Sequence, residues 1–141
     1  MESIKGIYPE DDIEVFEIVK AMFPEPERQL IRLPRNEESL SQIESLHPNV
    51  ILVEHRFSDY KHYNLLSMMD DMESLSQVPK IAITDPTQKY ELLYSPKNRL
   101  WDYIAHPFEA QELLERIHYG LEKVKFQSSI YQDSDKKRKS P

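Results

Sequence analysis

Three absences limit what this chain can be. Its 141 residues include no cysteine, which excludes disulfides and thiolate metal sites. Only two glycines occur, Gly6 and Gly120, so there is no glycine-rich loop of the kind that cradles phosphate groups. No apolar run approaches the roughly 20 residues of a membrane span, and the N-terminus has no apolar stretch typical of a signal peptide. We therefore expect one cytoplasmic domain without a membrane span.

Acidic residues outnumber basic ones, and the excess is unevenly distributed. The formal net charge is −7, and residues 1–131 carry 14 basic against 23 acidic side chains, whereas residues 136–139 form a basic run. An acidic body repels phosphate, which argues against nucleic-acid binding by the folded part. We interpret the basic run as a solvated end, with a weak contact to a polyanion as the alternative.

Helical and strand patterns alternate along the chain. The segment 50–53 is continuously apolar and β-branched, which is typical of a strand covered on both faces in a parallel sheet. Strands are predicted at 4–8, 29–33, 50–53, 80–84 and 101–105. Helices are predicted at 12–23, 40–46, 59–76, 87–94 and from the residues after Pro107 to about 124.

Apolar side chains at helical spacing indicate which faces of these helices point to the core. For the first and third helices they are Ile13, Phe16, Val19 and Phe23, and Leu65, Leu66, Met69 and Met72. The alternation of strands and helices predicts an α/β fold, a doubly wound (βα)5 flavodoxin-like sandwich. Its central parallel sheet has five strands in the order 2-1-3-4-5.

Polar residues follow four of the predicted strands, where functional side chains of such sheets lie. They are Glu10, Asp11 and Asp12 after the first strand, Glu54 after the third, Thr84 after the fourth, and His106 with Pro107 after the fifth. The five histidines do not have the spacing of zinc ligands, and no Ser/His/Asp arrangement has a supporting motif. The carboxyl edge of the sheet is therefore the predicted site.

This set of residues resembles the receiver domain of two-component response regulators. That family has an acidic pair after the first strand, an aspartate after the third, Thr or Ser after the fourth and Lys-Pro after the fifth. Here 30 positions separate Glu54 from Thr84 and 22 separate Thr84 from His106, both usual for the family. The resemblance implies a receiver-like domain at 1–124, followed by a flexible polar and basic tail or linker at 125–141.

The resemblance also implies individual roles. Glu54 stands at the phospho-acceptor position, and His106 with Pro107 stands at the lysine position, where a cis peptide bond is expected. Glu10 and Asp11 would form the acidic pocket, with Asp11 and Asp12 as the alternative register. Thr84 and Tyr103 match the family's switch residues. Partner binding or homodimerisation is expected on the face formed by the fourth helix, the fifth strand and the last helix, which carries Tyr90, Tyr94, Trp101 and Tyr103.

Two departures from the family concern its central chemistry. Glu54 replaces the phosphorylated aspartate with a longer carboxylate, which displaces the acceptor oxygen by about 1 Å in a reaction that depends on positioning. His106 replaces a lysine and supplies no permanent positive charge. Together they predict that phosphotransfer has been lost.

Asp59, in the loop after Glu54, is interpreted as a helix N-cap.

The sequence leaves several questions open. Glu10, Asp11 and Glu54 could hold Mg²⁺, or they could be solvated loop acids; no other cofactor is expected. Glu54 could mimic a phosphorylated aspartate through Thr84, or it could be inert.

Three functions fit, and the first is preferred. It is a non-enzymatic module that regulates another signalling protein or an output domain independently of phosphorylation. The second is the receiver half of a longer regulator whose state is set by pH, metal or ligand at Glu54 and His106. The third, a small flavodoxin-like enzyme or nucleotide binder, explains the fold but not the spacings.

Overall fold

Five parallel strands form a single sheet in this computed structural model, which describes residues 3–23, 28–54, 65, 68–84 and 101–139, with side chains up to residue 125 except that of residue 101. The strands are β1 Ile4–Pro9, β2 Arg28–Leu33, β3 Val50–Glu54, β4 Lys80–Thr84 and β5 Trp101–Ala105. Their order is β2-β1-β3-β4-β5, and every neighbouring pair is parallel. The predicted strands and their order are confirmed.

Helices connect these strands. They are α1 Ile13–Lys20, a 3-10 turn Glu37–Ser39 that leads into α2 Leu40–Leu46, α3 Glu73–Ser76 and α4 Ala110–Lys139. Residues 65 and 68–71 are also helical. Asp12 caps α1, since its side chain accepts hydrogen bonds from the backbone N–H groups of Glu14 and Val15. His47 ends α2 in the left-handed conformation.

The core lies on both faces of the sheet. Successive residues of a strand point to opposite faces, and in β3 Val50 and Leu52 belong to one apolar cluster while Ile51 and Val53 belong to the other. The first cluster includes buried residues of α1 and α4, and the second includes Ile43 of α2 and Leu75 of α3. Helices therefore cover both faces, as the doubly wound prediction requires.

The structure corrects two predictions about helix packing. Ile13 is 61% exposed rather than inward; it is the first residue of α1, one turn before Phe16, where the helix first reaches the core. The single helix predicted over 59–76 is interrupted at Met72, whose extended backbone (φ −91°, ψ 119°) starts α3. Leu65 and Met69 are buried as predicted, and Leu66 lies outside the described residues.

The last helix is longer than predicted. It runs to Lys139 instead of ending near 124, because no glycine or proline interrupts the residues after Gly120 until Pro141. The use of residues 125–141 as a tail or a linker stays a prediction. Within the ranges given above, no helix is long and apolar enough to cross a membrane.

A buried lysine lies at the start of β4, far along the strand from its carboxyl end. The Lys80 ammonium donates to the carbonyls of Leu75 (2.6 Å) and Val78 (3.0 Å) and lies 3.3 Å from Asp70 Oδ1. Burial lowers the pKa of Lys80, and the neighbouring Asp70 carboxylate opposes that shift. Lys80 thus joins β4 to the helical segment before it.

Candidate functional site: a closed acidic pocket at the carboxyl edge of the sheet

Glu54 is the last residue of β3 and is buried, with 1% of its surface exposed. Its Oε1 accepts a hydrogen bond from the Tyr8 hydroxyl at 2.7 Å and lies 3.1 Å from His106 Nε2. Tyr8 itself is fully buried. The predicted phospho-acceptor position is thus occupied by a carboxylate with partners from β1 and from the loop after β5.

The parallel register brings these three residues together. β1 pairs with β3 through Gly6 and Val50, and β4 pairs with β5 as far as Thr84 and Ala105. The next residue, His106, donates its backbone N–H to the Thr84 carbonyl at 2.8 Å. The peptide bond between His106 and Pro107 is cis, as expected. The strand ends therefore determine the positions of Tyr8, Glu54 and His106 at one edge.

The three acidic residues after β1 have different roles. Glu10 is buried, and its Oε1 accepts from Asp12 N at 3.0 Å and lies 3.6 Å from Arg35 Nη1. Asp11 is exposed, and its Oδ1 accepts from Arg35 N at 3.0 Å. Because Asp12 caps α1, the geometry favours Glu10 and Asp11 as the acidic pair over the alternative register.

The predicted metal ligands do not form a metal site. In the described part of the chain, no group of three or more His, Asp or Glu side chains is arranged to hold a metal ion. Asp11 is directed to the backbone of Arg35, whose guanidinium lies 3.6 Å from Glu10 Oε1. Glu54 Oε1 has Tyr8 and His106 as partners. The residues present do not fit the three-carboxylate Mg²⁺ site expected from Glu10, Asp11 and Glu54.

Both buried carboxylates affect the pKa of the Tyr8 hydroxyl. Burial raises the pKa of Tyr8, and the charge of Glu54 and the hydrogen bond to it raise the pKa further, as does Glu10 to a smaller extent. Tyr8 therefore stays protonated at neutral pH, as a permanent hydrogen-bond donor to Glu54. A phenol thus lies among the acids of the pocket.

The raised pKa of Tyr8 predicts a loss of stability in alkali. The folded protein keeps this proton above about pH 10, where an unfolded tyrosine loses it. The contribution of Tyr8 to stability is therefore complete below about pH 10 and decreases as the pH rises further. Urea unfolding of native protein and Tyr8→Phe should give a stability difference that shrinks above about pH 10. A difference that stays constant up to about pH 11 would contradict this.

The remaining predicted site residues lie in several places. Thr84 is buried at the end of β4, Tyr103 is partly buried on β5, and Pro107 is exposed. The backbone N–H of Tyr103 donates to Asp102 Oδ1 at 2.8 Å. The predicted partner-face residues Tyr90 and Tyr94, the predicted cap Asp59 and the side chain of Trp101 lie outside the described residues.

Sequence reasoning missed two members of the pocket. Tyr8 precedes the acidic residues by two positions and has no motif of its own. Arg35 follows β2 by two residues, so the strand-end rule applied to β2 could have found it. An open apolar groove of about 310 Å³ also lies beside His106. It is lined by Val15, Ile18, Val19, Met22, Pro107 and Phe108.

The chain is similar in fold to solved structures that include isolated receiver domains. NtrX from Brucella abortus in complex with ATP has a TM-score of 0.75 at 14% identity, over 92% of this chain and 29% of that one. The N-terminal signal receiver domain of a Bacteroides fragilis response regulator has a TM-score of 0.69 at 18% identity. The match covers 83% of this chain and 95% of that one. The receiver domain of a Pseudomonas aeruginosa sensor histidine kinase, solved with magnesium in its active-site cleft, has a TM-score of 0.70 at 20% identity. The match covers 84% of this chain and 98% of that one.

At these low identities the TM-scores show the fold alone, and it is the fold of response-regulator receiver domains. The chain spans less than a third of NtrX but nearly all of the two isolated receiver domains. No family model and no curated protein matches the chain by sequence. The predicted fold class is confirmed, and the predicted function needs arguments from the site.

Proposed function

We propose that this chain is a receiver-like signalling module that regulates another signalling protein or an output domain by contact, without phosphorylation and without enzymatic activity. The observation that supports it is the state of Glu54. This carboxylate is 1% exposed, and its Oε1 has the Tyr8 hydroxyl on one side and His106 Nε2 on the other. An acceptor for a phosphoryl group needs an accessible oxygen in line with the leaving group.

The groups around Glu54 are also unsuited to stabilising a transferred phosphoryl group. Phosphoryl transfer depends on cations that neutralise the developing negative charge. At the lysine position His106 directs its Nε2 to Glu54 Oε1, and the three acids do not form a metal site among the described residues. Tyr8 donates a neutral hydrogen bond only. Because the described residues of the pocket do not supply these cations at Glu54, we propose that the domain signals by contact with other proteins.

Apolar surface beside the pocket supports a contact function. The groove next to His106 exposes apolar side chains of α1 and of the loop after β5, and Ile18 on its edge is 64% exposed. Contiguous exposed apolar surface is a common feature of interaction sites. Homodimerisation through the face that includes β5 stays a separate proposal.

Incubation with acetyl phosphate and Mg²⁺ should give no phosphorylated form of the native chain by intact-mass spectrometry. A receiver domain that keeps its aspartate and lysine serves as the positive control under the same conditions. Glu54→Asp in this chain should also stay unmodified, because the shorter carboxylate still lies beside the buried Tyr8 and next to His106 instead of a lysine.

The two variants separate different reasons for a wrong result. An adduct on the native chain would refute phosphorylation independence. An adduct on Glu54→Asp alone would show that the pocket still supports the chemistry and that only the acceptor was lost.

A second function is favoured by the exposure of His106. Its side chain is 42% exposed while its Nε2 contacts the buried Glu54, so protons from solvent reach a group that is linked to the pocket. In this alternative, protonation of His106 shifts the loop after β5. Titration of the His106 ring by NMR between about pH 5 and pH 8 tests it, and a flat response would exclude a pH-responsive pair.

A further inference from the structure

The turn after β2 places a cationic side chain at the acidic pocket. Arg35 follows β2 by two residues, and its side chain is 9% exposed. Its Nη1 lies 3.6 Å from Oε1 of Glu10, which is 1% exposed. Burying an arginine is costly unless it is paired, and here it lies at the one fully buried acid of the β1 loop.

The backbone N–H of Arg35 is hydrogen-bonded to Asp11, the second acid of the pair. Arg35 N donates to Asp11 Oδ1 at 3.0 Å. Arg32, the residue three positions earlier, donates from Nη1 to the Glu10 carbonyl at 3.1 Å. The end of β2 and the turn after it are thus joined to Glu10 and Asp11 by these contacts and by a hydrogen bond from Glu10 N to the Leu33 carbonyl at 3.2 Å.

Glu10 still has an acceptor that no described group uses. Its Oε2 is buried and, among the described residues, has no hydrogen-bond donor. In a pocket built for a divalent cation, such an oxygen would be one ligand of several. Here the positive charge at Glu10 comes instead from the chain itself, through the guanidinium of Arg35.

We infer that Arg35 is the resident cation of this pocket and that it takes the place of a divalent metal ion. Its fixed positive charge compensates Glu10, while Tyr8 and His106 satisfy Glu54 Oε1. Glu10 is therefore charge-compensated without Mg²⁺, and Glu54 Oε1 has hydrogen-bond partners from the chain itself. A divalent cation in this pocket would lie close to the Arg35 guanidinium. Repulsion between like charges in a partly buried site opposes binding strongly. This inference concerns the charge of the pocket and does not rest on the proposed signalling role.

Removal of the guanidinium should create a divalent-cation site that the native protein lacks. In Arg35→Ala, the Glu10 carboxylate loses its cation, and its Oε2 already has no donor among the described residues. Mn²⁺ added to ¹⁵N-labelled protein broadens amide signals near its binding site. We expect selective broadening at residues 10, 11 and 54 in Arg35→Ala, with affinity at least about ten-fold above the native protein.

Two control variants make the result specific. Arg116→Ala removes the same charge from an exposed arginine of α4 and should bind Mn²⁺ no better than the native chain. Arg35→Lys keeps the charge and should also fail to gain the site. If Arg35→Ala does not fold, Arg35→Gln, which keeps most of the side-chain volume, is titrated in its place.

Two results would overturn the inference. One is selective broadening of residues 10, 11 and 54 in the native protein at submillimolar Mn²⁺, which would show that the metal site exists with Arg35 present. The other is a folded Arg35→Ala or Arg35→Gln that gains no affinity. Since phosphorylation is read separately by intact mass, failure here is distinguishable from failure of the proposed function.

Discussion

Asp70→Ala is expected to destabilise the protein by about 3 kcal/mol, because it leaves the buried ammonium of Lys80 without its carboxylate. Lys80 is 1% exposed, and two backbone carbonyls remain as its only described partners in the variant. Loss of one member of a buried pair costs more than loss of both, since the remaining charge is neither solvated nor compensated. Urea unfolding monitored by circular dichroism measures the effect.

Lys80→Met should be tolerated much better, with a cost below about 1.5 kcal/mol. Methionine fills a similar volume, and Asp70 is 16% exposed and can be hydrated when its partner is gone. Lys20→Met, at an exposed position of α1, is the matched control and should change stability by less than about 0.5 kcal/mol. If Lys80→Met were the more damaging variant, the ammonium would be a net source of stability, and the argument from desolvation would be wrong.

Tyr8→Phe is expected to lower the free energy of unfolding by about 1.5–3 kcal/mol, the range for a hydrogen bond to a charged group. Tyr8 and Glu54 are both buried, so the Glu54 carboxylate loses a donor that water does not readily replace. Tyr119→Phe removes a hydroxyl from a side chain that is 58% exposed, and it should have almost no effect.

A double-mutant cycle tests whether the cost of Tyr8→Phe comes from the hydrogen bond between Tyr8 and Glu54. In the Glu54→Gln background the acceptor is neutral, so Tyr8→Phe should cost about 1 kcal/mol less than in the native protein. Additive effects of the two substitutions would show that the hydroxyl stabilises the fold independently of Glu54. In that case the closed pocket would not depend on the hydrogen bond between them.

Much of the candidate site could be predicted because strand ends in a parallel sheet converge. Glu54, Thr84 and His106 each come directly at or after an apolar strand that the sequence pattern shows, and the fold requires those ends to lie at one edge. Such assignments need only local periodicity together with one topological rule.

The contacts within the pocket could not be predicted in the same way. Tyr8 is two residues before the strand-end acids, and whether its hydroxyl points to Glu54 depends on the pairing register of β1 with β3. The approach of Arg35 to Glu10 depends on the turn after β2, which no period describes. For the same reason, the sequence could not show that Asp11 is directed to the Arg35 backbone.

By itself the sequence determined the strands, their order, the acidic edge and the two departures at Glu54 and His106, because apolar periodicity and strand-end positions are local properties of the chain. Only the tertiary structure decided which partners these groups have. Hydrogen bonds and ion pairs between residues 25 to 52 positions apart depend on distances of a few ångströms, and those are set by strand register and side-chain packing together.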